Sequence, residues 1–122
     1  MKLHAAGPTG LNAFTGYGDG YVLVNGERYA ASVIVLPERV LPWAAAGFDA
    51  LQARDFAELA AMPLEVVLLG TGCVLRFPHP GLTQALAAAR IGLEVMDVRA
   101  ACRTYNILMD ESRKVAAALL FA

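Results

Sequence analysis

Arg99, Arg103 and Asn106 recur at four- and three-residue steps in the segment Val98-Arg-Ala-Ala-Cys-Arg-Thr-Tyr-Asn-Ile-Leu-Met-Asp110. On a helix that spacing puts them on one stripe, which Asp110 continues. Two guanidinium groups one turn apart can each hold a carboxylate or a phosphate through paired hydrogen bonds. The same stripe also reads as a solvated face on which Asp110 steers the two arginines, since exposed charges contribute little. A second candidate is Gly70-Thr71-Gly72, which closes the nearly unbroken β-type run Glu65–Leu69. Its glycines let backbone N–H groups approach an anion, as in a small nest. Open α/β sheets also bind ligands at the carboxyl ends of strands. Against this, the loop lacks the lysine of a P-loop, the chain lacks Gly-x-Gly-x-x-Gly, and Cys73-Val-Leu-Arg-Phe77 follows in place of a helix. A tight turn forced by packing is the competing reading. The candidate ligand- or partner-binding set is therefore Gly70, Thr71, Gly72, Arg99, Arg103 and Asn106.

Covalent and metal chemistry find little support. Cys102, near the start of a helix, has a position from which a thiol pKa is lowered, but it falls on the apolar stripe beside Ala101 and Tyr105 and reads as a small core residue. His79, between Pro78 and Pro80, is the only base within plausible reach and belongs to a surface loop. Ser112 and Thr104 have no local base. Glu94 and Asp97 flank a strand end, where Asp97 already has a structural role. Cys73 and Cys102 lie 29 positions apart without a Cys-x-x-Cys, and His4 and His79 add no usual zinc spacing. No catalytic set, metal site or cofactor is expected.

The elements that would position these residues follow from local signals. Gly92 is a suitable left-handed stop for a helix running from about Pro80 to Ile91. Leu93, Val95 and Met96 make a short buried strand. Asp97 is an N-cap, its carboxylate suited to the orphan N–H groups of the next helix. Along that helix Val98, Ala101, Cys102, Tyr105, Leu108 and Met109 form the stripe that faces the core. Strand Glu65–Leu69, the helix and strand Leu93–Met96 make one right-handed crossover with parallel strands. Lys114–Phe121 lacks alternation, which suits a central strand covered on both faces.

Upstream, Asn12–Tyr17 and Tyr21–Val24 are strands joined by Gly18-Asp-Gly20, and Asn25-Gly26 is the strongest hairpin signal in the chain. Its partner strand is expected over Arg28–Leu36. Pro37 and Pro42 mark a loop region that reaches Trp43, which reads as a plug over the core, the alternative being an exposed anchor for a partner. Asp55-Phe-Ala-Glu58 is a capping-box start for a short helix ending near Met62-Pro63.

Charge is nearly balanced, with 10 basic and 11 acidic residues, so the basic footprint of a nucleic-acid binder is missing. Hydrophobic residues make up 57%, yet the longest apolar run, Val115–Ala122, falls far short of the roughly 18 residues that span a bilayer. Membrane insertion is not expected. Met1-Lys-Leu-His-Ala-Ala-Gly-Pro8 has neither the apolar stretch of a secretory signal nor an Arg- and Ser-rich transit lead, which points to the cytoplasm of a bacterium. No linker or repeat divides the chain, so one domain over 1–122 is expected, with 1–10 an irregular N-terminal segment.

Glu65-Val-Val-Leu-Leu-Gly-Thr-Gly72, Glu94-Val-Met-Asp97 and Ala101-Cys-Arg-Thr-Tyr-Asn106 occur here in order with Tyr17-Gly-Asp-Gly-Tyr21, Val24-Asn-Gly26, Ser32-Val-Ile-Val35 and Pro42-Trp43. Together these resemble the Mth938-like family of domains of unknown function, over nearly the whole chain. Relatives in that family include a mitochondrial assembly factor for respiratory complex I and many uncharacterised bacterial proteins. The resemblance implies a single three-layer α/β domain, a central mixed β-sheet between helices with an additional N-terminal β-hairpin layer. It brings no catalytic residues. A non-enzymatic interaction or assembly module with protein partners is one expectation. A binder of a small anion, or a weak enzyme, using Gly70–Gly72 and Arg103 is the other.

Overall fold

Two runs with no polar alternation, Val66–Thr71 and Val115–Leu120, lie side by side at the heart of the molecule, and every residue of both is buried. The computed structural model describes residues 10–121, so the irregular segment expected at the N-terminus falls, but for Gly10, outside the described residues. The strands are β1 (Phe14–Gly18), β2 (Tyr21–Val24), β3 (Glu27–Tyr29), β4 (Val33–Val35), β5 (Val40–Pro42), β6 (Val66–Thr71), β7 (Gly92–Met96) and β8 (Val115–Leu120). The helices are α1 (Ala53–Ala60), α2 (Gln84–Ala88) and α3 (Val98–Asp110). Five strands form a mixed sheet in the order β5-β4-β8-β6-β7, and β1-β2-β3 form a separate antiparallel sheet. Within the large sheet β8 and β7 run parallel to β6, while β4 is antiparallel to β8 and β5 to β4.

Successive side chains of a strand point to opposite faces, which explains the unbroken apolar runs. Val66, Leu68, Val115, Ala117 and Leu119 join a core shared with α3 and the small sheet. Val67, Leu69, Ala116, Ala118 and Leu120 join the opposite core, with Phe56 and Leu59 of α1, Leu86 of α2, and Trp43. The layers are thus α1 and α2, the mixed sheet, and α3 with the N-terminal sheet. Trp43 is the expected plug: it is buried, its Nε1 donates to the Asp55 carbonyl at 3.1 Å, and its ring meets Phe56 edge to face.

Several local details differ from expectation. The strand expected over Arg28–Leu36 is two strands in two sheets, because the chain leaves the hairpin after Tyr29 and enters the large sheet at Val33. The N-terminal layer is therefore three-stranded rather than a hairpin. The Pro37–Pro42 loop contains β5, an edge strand that ends at proline, where a missing N–H costs no ladder bond. Helix α1 starts at Ala53 with Gln52 as N-cap, and Asp55 is its third residue, accepting from the Gln52 N–H at 2.8 Å. The capping box is real but displaced by three residues. The helix expected over Pro80–Ile91 is a 3-10 turn, Pro80–Leu82, followed by the short α2.

The left-handed stop is Arg90 (φ 61°), not Gly92, which begins β7. Ile91 N–H donates to Leu86 O and Arg90 N–H to Ala87 O, a Schellman closure that also brings Ile91 onto Leu86 in the core. Helix α3 closes the same way through Ser112 (φ 62°), with Arg113 N–H on Leu108 O and Ser112 N–H on Met109 O. The Asn25-Gly26 turn is as expected, both residues having positive φ.

Candidate functional site

Asp97 fixes where α3 begins. Its carboxylate accepts from Ala100 N–H at 2.9 Å while its own backbone stays extended, the geometry of an N-cap. From there the stripe Val98, Ala101, Cys102, Tyr105 and Met109 is buried against the sheet. Leu108 is half-buried at its margin.

The polar stripe turns towards the N-terminal sheet. Arg99 pairs with Asp19 at 2.9 Å, in the β1–β2 turn, rather than with Asp110, and its guanidinium lies 5.3 Å from the Tyr17 ring centre. Arg103 donates to the Tyr17 hydroxyl at 2.8 Å. Asn106 accepts from Phe14 N–H at 2.9 Å and donates to Phe14 O at 2.8 Å, so its carboxamide serves β1 as a one-residue neighbouring strand. Tyr105, on the buried stripe, donates to the Asn12 carbonyl at 3.0 Å and meets Phe14 edge to face. These side chains tie α3 to the N-terminal sheet, while the buried stripe of the same helix packs on the large sheet.

Gly70 and Thr71 belong to β6 itself, and only Gly72 lies beyond it. A Cβ at Gly70 would stand 2.7 Å from Leu119 Cδ2 and 3.3 Å from Val98 Cα, so glycine lets the first turn of α3 sit on the sheet. Gly72 has φ 78° and its carbonyl accepts from Val98 N–H at 2.9 Å. This places the loop beside the start of α3. The side chains of Arg99 and Arg103, however, are bonded towards the other sheet.

Thr71 is 1% exposed, and its hydroxyl is fully engaged. Oγ1 donates to Val74 O at 2.7 Å and accepts from Arg76 N–H at 3.1 Å. The loop thus held exposes Val74 (59%), Leu75 (49%) and Phe77 (71%). Arg76 folds back over the Phe48 ring, 4.4 Å from its centre, and pairs with Asp49 at 3.6 Å. The sequence reading noted Cys73–Phe77 only as a departure from a helix. Its apolar composition reads equally well as buried strand, and only its position beyond the sheet reveals the exposure.

The candidate nucleophile Cys102 and the candidate base His79 lie in different settings, one buried and one exposed. Burial pushes the Cys102 thiol up to about 12, far from the range of a reactive thiolate. His79 is exposed, and its Nδ1 accepts from Gly81 N–H at 2.9 Å within the Pro80–Leu82 turn. Cys73 is an exposed free thiol. Among the described residues, no group of three or more His, Cys, Asp and Glu is placed to hold a metal ion. Two open cavities, of about 580 and 510 Å³, lie away from the polar stripe. The first is floored by Trp43, Ala45 and Phe121, and the second by Leu36, Met109 and Val115.

Residues 14–120 match the family model described as protein of unknown function (DUF498/DUF598). The chain belongs to that family. It is 33% identical over 122 residues to an uncharacterised protein of Rhodobacter capsulatus, covering 98% of this chain and 93% of that one. It is 31% identical over 103 residues to the Bos taurus NADH dehydrogenase [ubiquinone] 1 alpha subcomplex assembly factor 3, covering 83% of this chain and 55% of that protein. The chain spans about half the length of the assembly factors it matches. A solution structure from Bordetella pertussis, described as an Mth938-like domain, superposes with a TM-score of 0.79 at 36% identity, covering 98% of this chain and 92% of that one. The Mth938-like architecture implied by the sequence motifs is the architecture found.

Proposed function

We propose that this family member is a non-enzymatic interaction module of the assembly-factor kind, one domain over 1–122, that acts in the bacterial cytoplasm and binds other proteins. The observation that carries the reading is kinship, over four fifths of the chain, with proteins named for assembling an NADH dehydrogenase. The commitment of Arg99, Arg103 and Asn106 to bonds between α3 and the N-terminal sheet supports it, as does the inert setting of Cys102. No helix among the described residues is long and apolar enough to cross a membrane. The finer reading is that the partner is a subunit or assembly intermediate of such a dehydrogenase. A tagged chain at native expression, crosslinked and recovered from its own cell, should bring down a reproducible set of proteins. Recovery of the chain alone, at every salt concentration, would remove the proposal.

A second reading, a small-anion site on Gly70, Thr71, Gly72, Arg99, Arg103 and Asn106, has one observation in its favour. The Arg99 side chain is 49% exposed and its partner Asp19 is fully exposed, so a ligand carboxylate or phosphate could replace Asp19 at little cost. Calorimetry with inorganic phosphate and citrate tests this. Arg103→Ala should lower capture about tenfold, as loss of a charged contact does, while costing about 1 kcal/mol of stability through the Tyr17 bond. Absence of binding heat for the unmodified chain would end this reading.

A further inference from the structure

We propose that the loop Cys73–Phe77 docks into an apolar cleft of a partner protein, and that Thr71 holds it in the docking shape. This deepens the interaction-module reading and rests on it. Single exposed apolar residues are ordinary on protein surfaces. Val74, Leu75 and Phe77 are three within four positions, all about half exposed or more, and such clustering marks a contact surface.

The exposure is enforced rather than left over. Val74 O and Arg76 N–H are both bonded to the Thr71 hydroxyl, which is itself anchored in the buried strand β6. Gly72 O is held by the first N–H of α3. With its backbone fixed at Gly72, Val74 and Arg76, the loop cannot turn its apolar side chains inward. Arg76 is drawn back onto Phe48 and Asp49, so its charge is kept off the apolar tip. A loop already ordered in its bound form loses little conformational entropy on binding.

The occupant follows from area and charge. Three partly exposed side chains offer a few hundred square ångströms, well below the roughly 800 Å² per side of a stable interface. A flat self-contact between two copies of the loop is therefore too small. Anionic bilayers draw proteins in through clustered lysine and arginine, but the single arginine of this loop is already paired and the chain carries a formal charge of −1. A concave protein surface, by contrast, can wrap the loop on several sides and desolvate Phe77 completely, as binding hot spots require. The cleft it fits is uncharged and deep enough for a phenyl ring.

Cys73, exposed at the head of the loop, can carry a benzophenone maleimide, since Cys102 is buried. Photolysis in extract of the native cell should give one principal adduct with another protein, its yield insensitive to salt. Phe77→Ser should lower that yield about tenfold or more, whereas Ile107→Ser, at an exposed apolar site on α3, should leave it unchanged. Thr71→Val should lower it several-fold and speed amide exchange at Arg76, and Thr71→Ser should restore both. An adduct of twice the chain mass, or flotation with phosphatidylcholine–phosphatidylglycerol vesicles that Phe77→Ser abolishes, would overturn the proposal in favour of a second copy or a membrane. If tagged protein captures the same partners with and without Phe77→Ser, docking lies elsewhere and only this inference falls. If the unmodified chain captures none, the interaction reading falls as well.

Discussion

Asn106 offers the sharpest test of how α3 holds the N-terminal sheet. Its carboxamide makes two bonds of 2.9 and 2.8 Å to the backbone of Phe14, a residue with no exposed surface. Each bond contributes about 1 kcal/mol net, and a buried group left unpaired costs about 1–3 kcal/mol. Asn106→Ala should therefore destabilise by roughly 2–3 kcal/mol, the shortened side chain letting water reach the Phe14 groups only in part. Asn106→Asp keeps the shape and the acceptor for Phe14 N–H, but at neutral pH it sets a carboxylate against the Phe14 carbonyl. When protonated, the new carboxyl can donate to that carbonyl as the amide did. Its folded-state pKa is then raised above the ordinary carboxylate value of about 3.9. The stabilising contribution is fully present below the unfolded value and is lost as pH rises through the folded one. Urea melts of the three proteins, compared as differences at neutral pH and at about pH 4.5, should show the Asp variant regaining stability relative to the parent on the acid side. The Ala variant should not. A loss under about 0.5 kcal/mol for Ala, within the range of unimportant surface changes, or a pH-independent loss for Asp, would refute the reasoning.

Asp97→Ala should cost about 1 kcal/mol and Asp97→Asn much less, because either oxygen can accept from Ala100 N–H; equal, near-zero losses in thermal melts would reject the cap. With the Cys102 thiol pushed up to about 12 by burial and Cys73 exposed, the folded protein should consume one equivalent of Ellman's reagent quickly at neutral pH. Two rapid equivalents would show that Cys102 is accessible. Glu65 is held below the usual carboxylate range by Lys114 N–H first and the Arg113 guanidinium second. Its contribution is present above the ordinary carboxylate pKa and lost as pH falls through the folded value. The stability gap between parent and Glu65→Gln should accordingly close in acid, and a gap that stays constant would contradict this.

What the sequence made legible is what repeats or terminates by a strong rule. The doubly covered strands β6 and β8, the Asn25-Gly26 hairpin and the Asp97 cap each follow from a period or a side chain with one favoured role. The errors arose where two residue types can do one job. Arg90 and Ser112 take left-handed positions that glycine usually fills, because buried Ile91 and the return of the chain into β8 pull the backbone round. Asp55 accepts a bond to the helix start equally well from the third position as from the cap. Pro42 looks like a loop residue and is the end of an edge strand. For the candidate site, helical spacing correctly put Arg99, Arg103 and Asn106 on one stripe. It could not say that this stripe faces β1, since the partners Asp19, Tyr17 and Phe14 lie 80 or more positions away.

The place of β8 sets a timetable for synthesis. Residues 115–120 are the last strand made among those described, yet they occupy the middle of the five-stranded sheet, between β4 and β6. Until they emerge from the ribosome, β4–β5 and β6–β7 are two separate pairs, each with a bare apolar edge and no neighbour to pair with. Exposed edges of this kind recruit other chains, and long-range pairings close slowly. The nascent protein must therefore carry two sticky half-sheets until residues 115–120 are made, and only then can it join them. Loss of even the final few residues of this strand would remove the seam between the halves, and such a chain should go to aggregation or proteolysis rather than to a weakened native state.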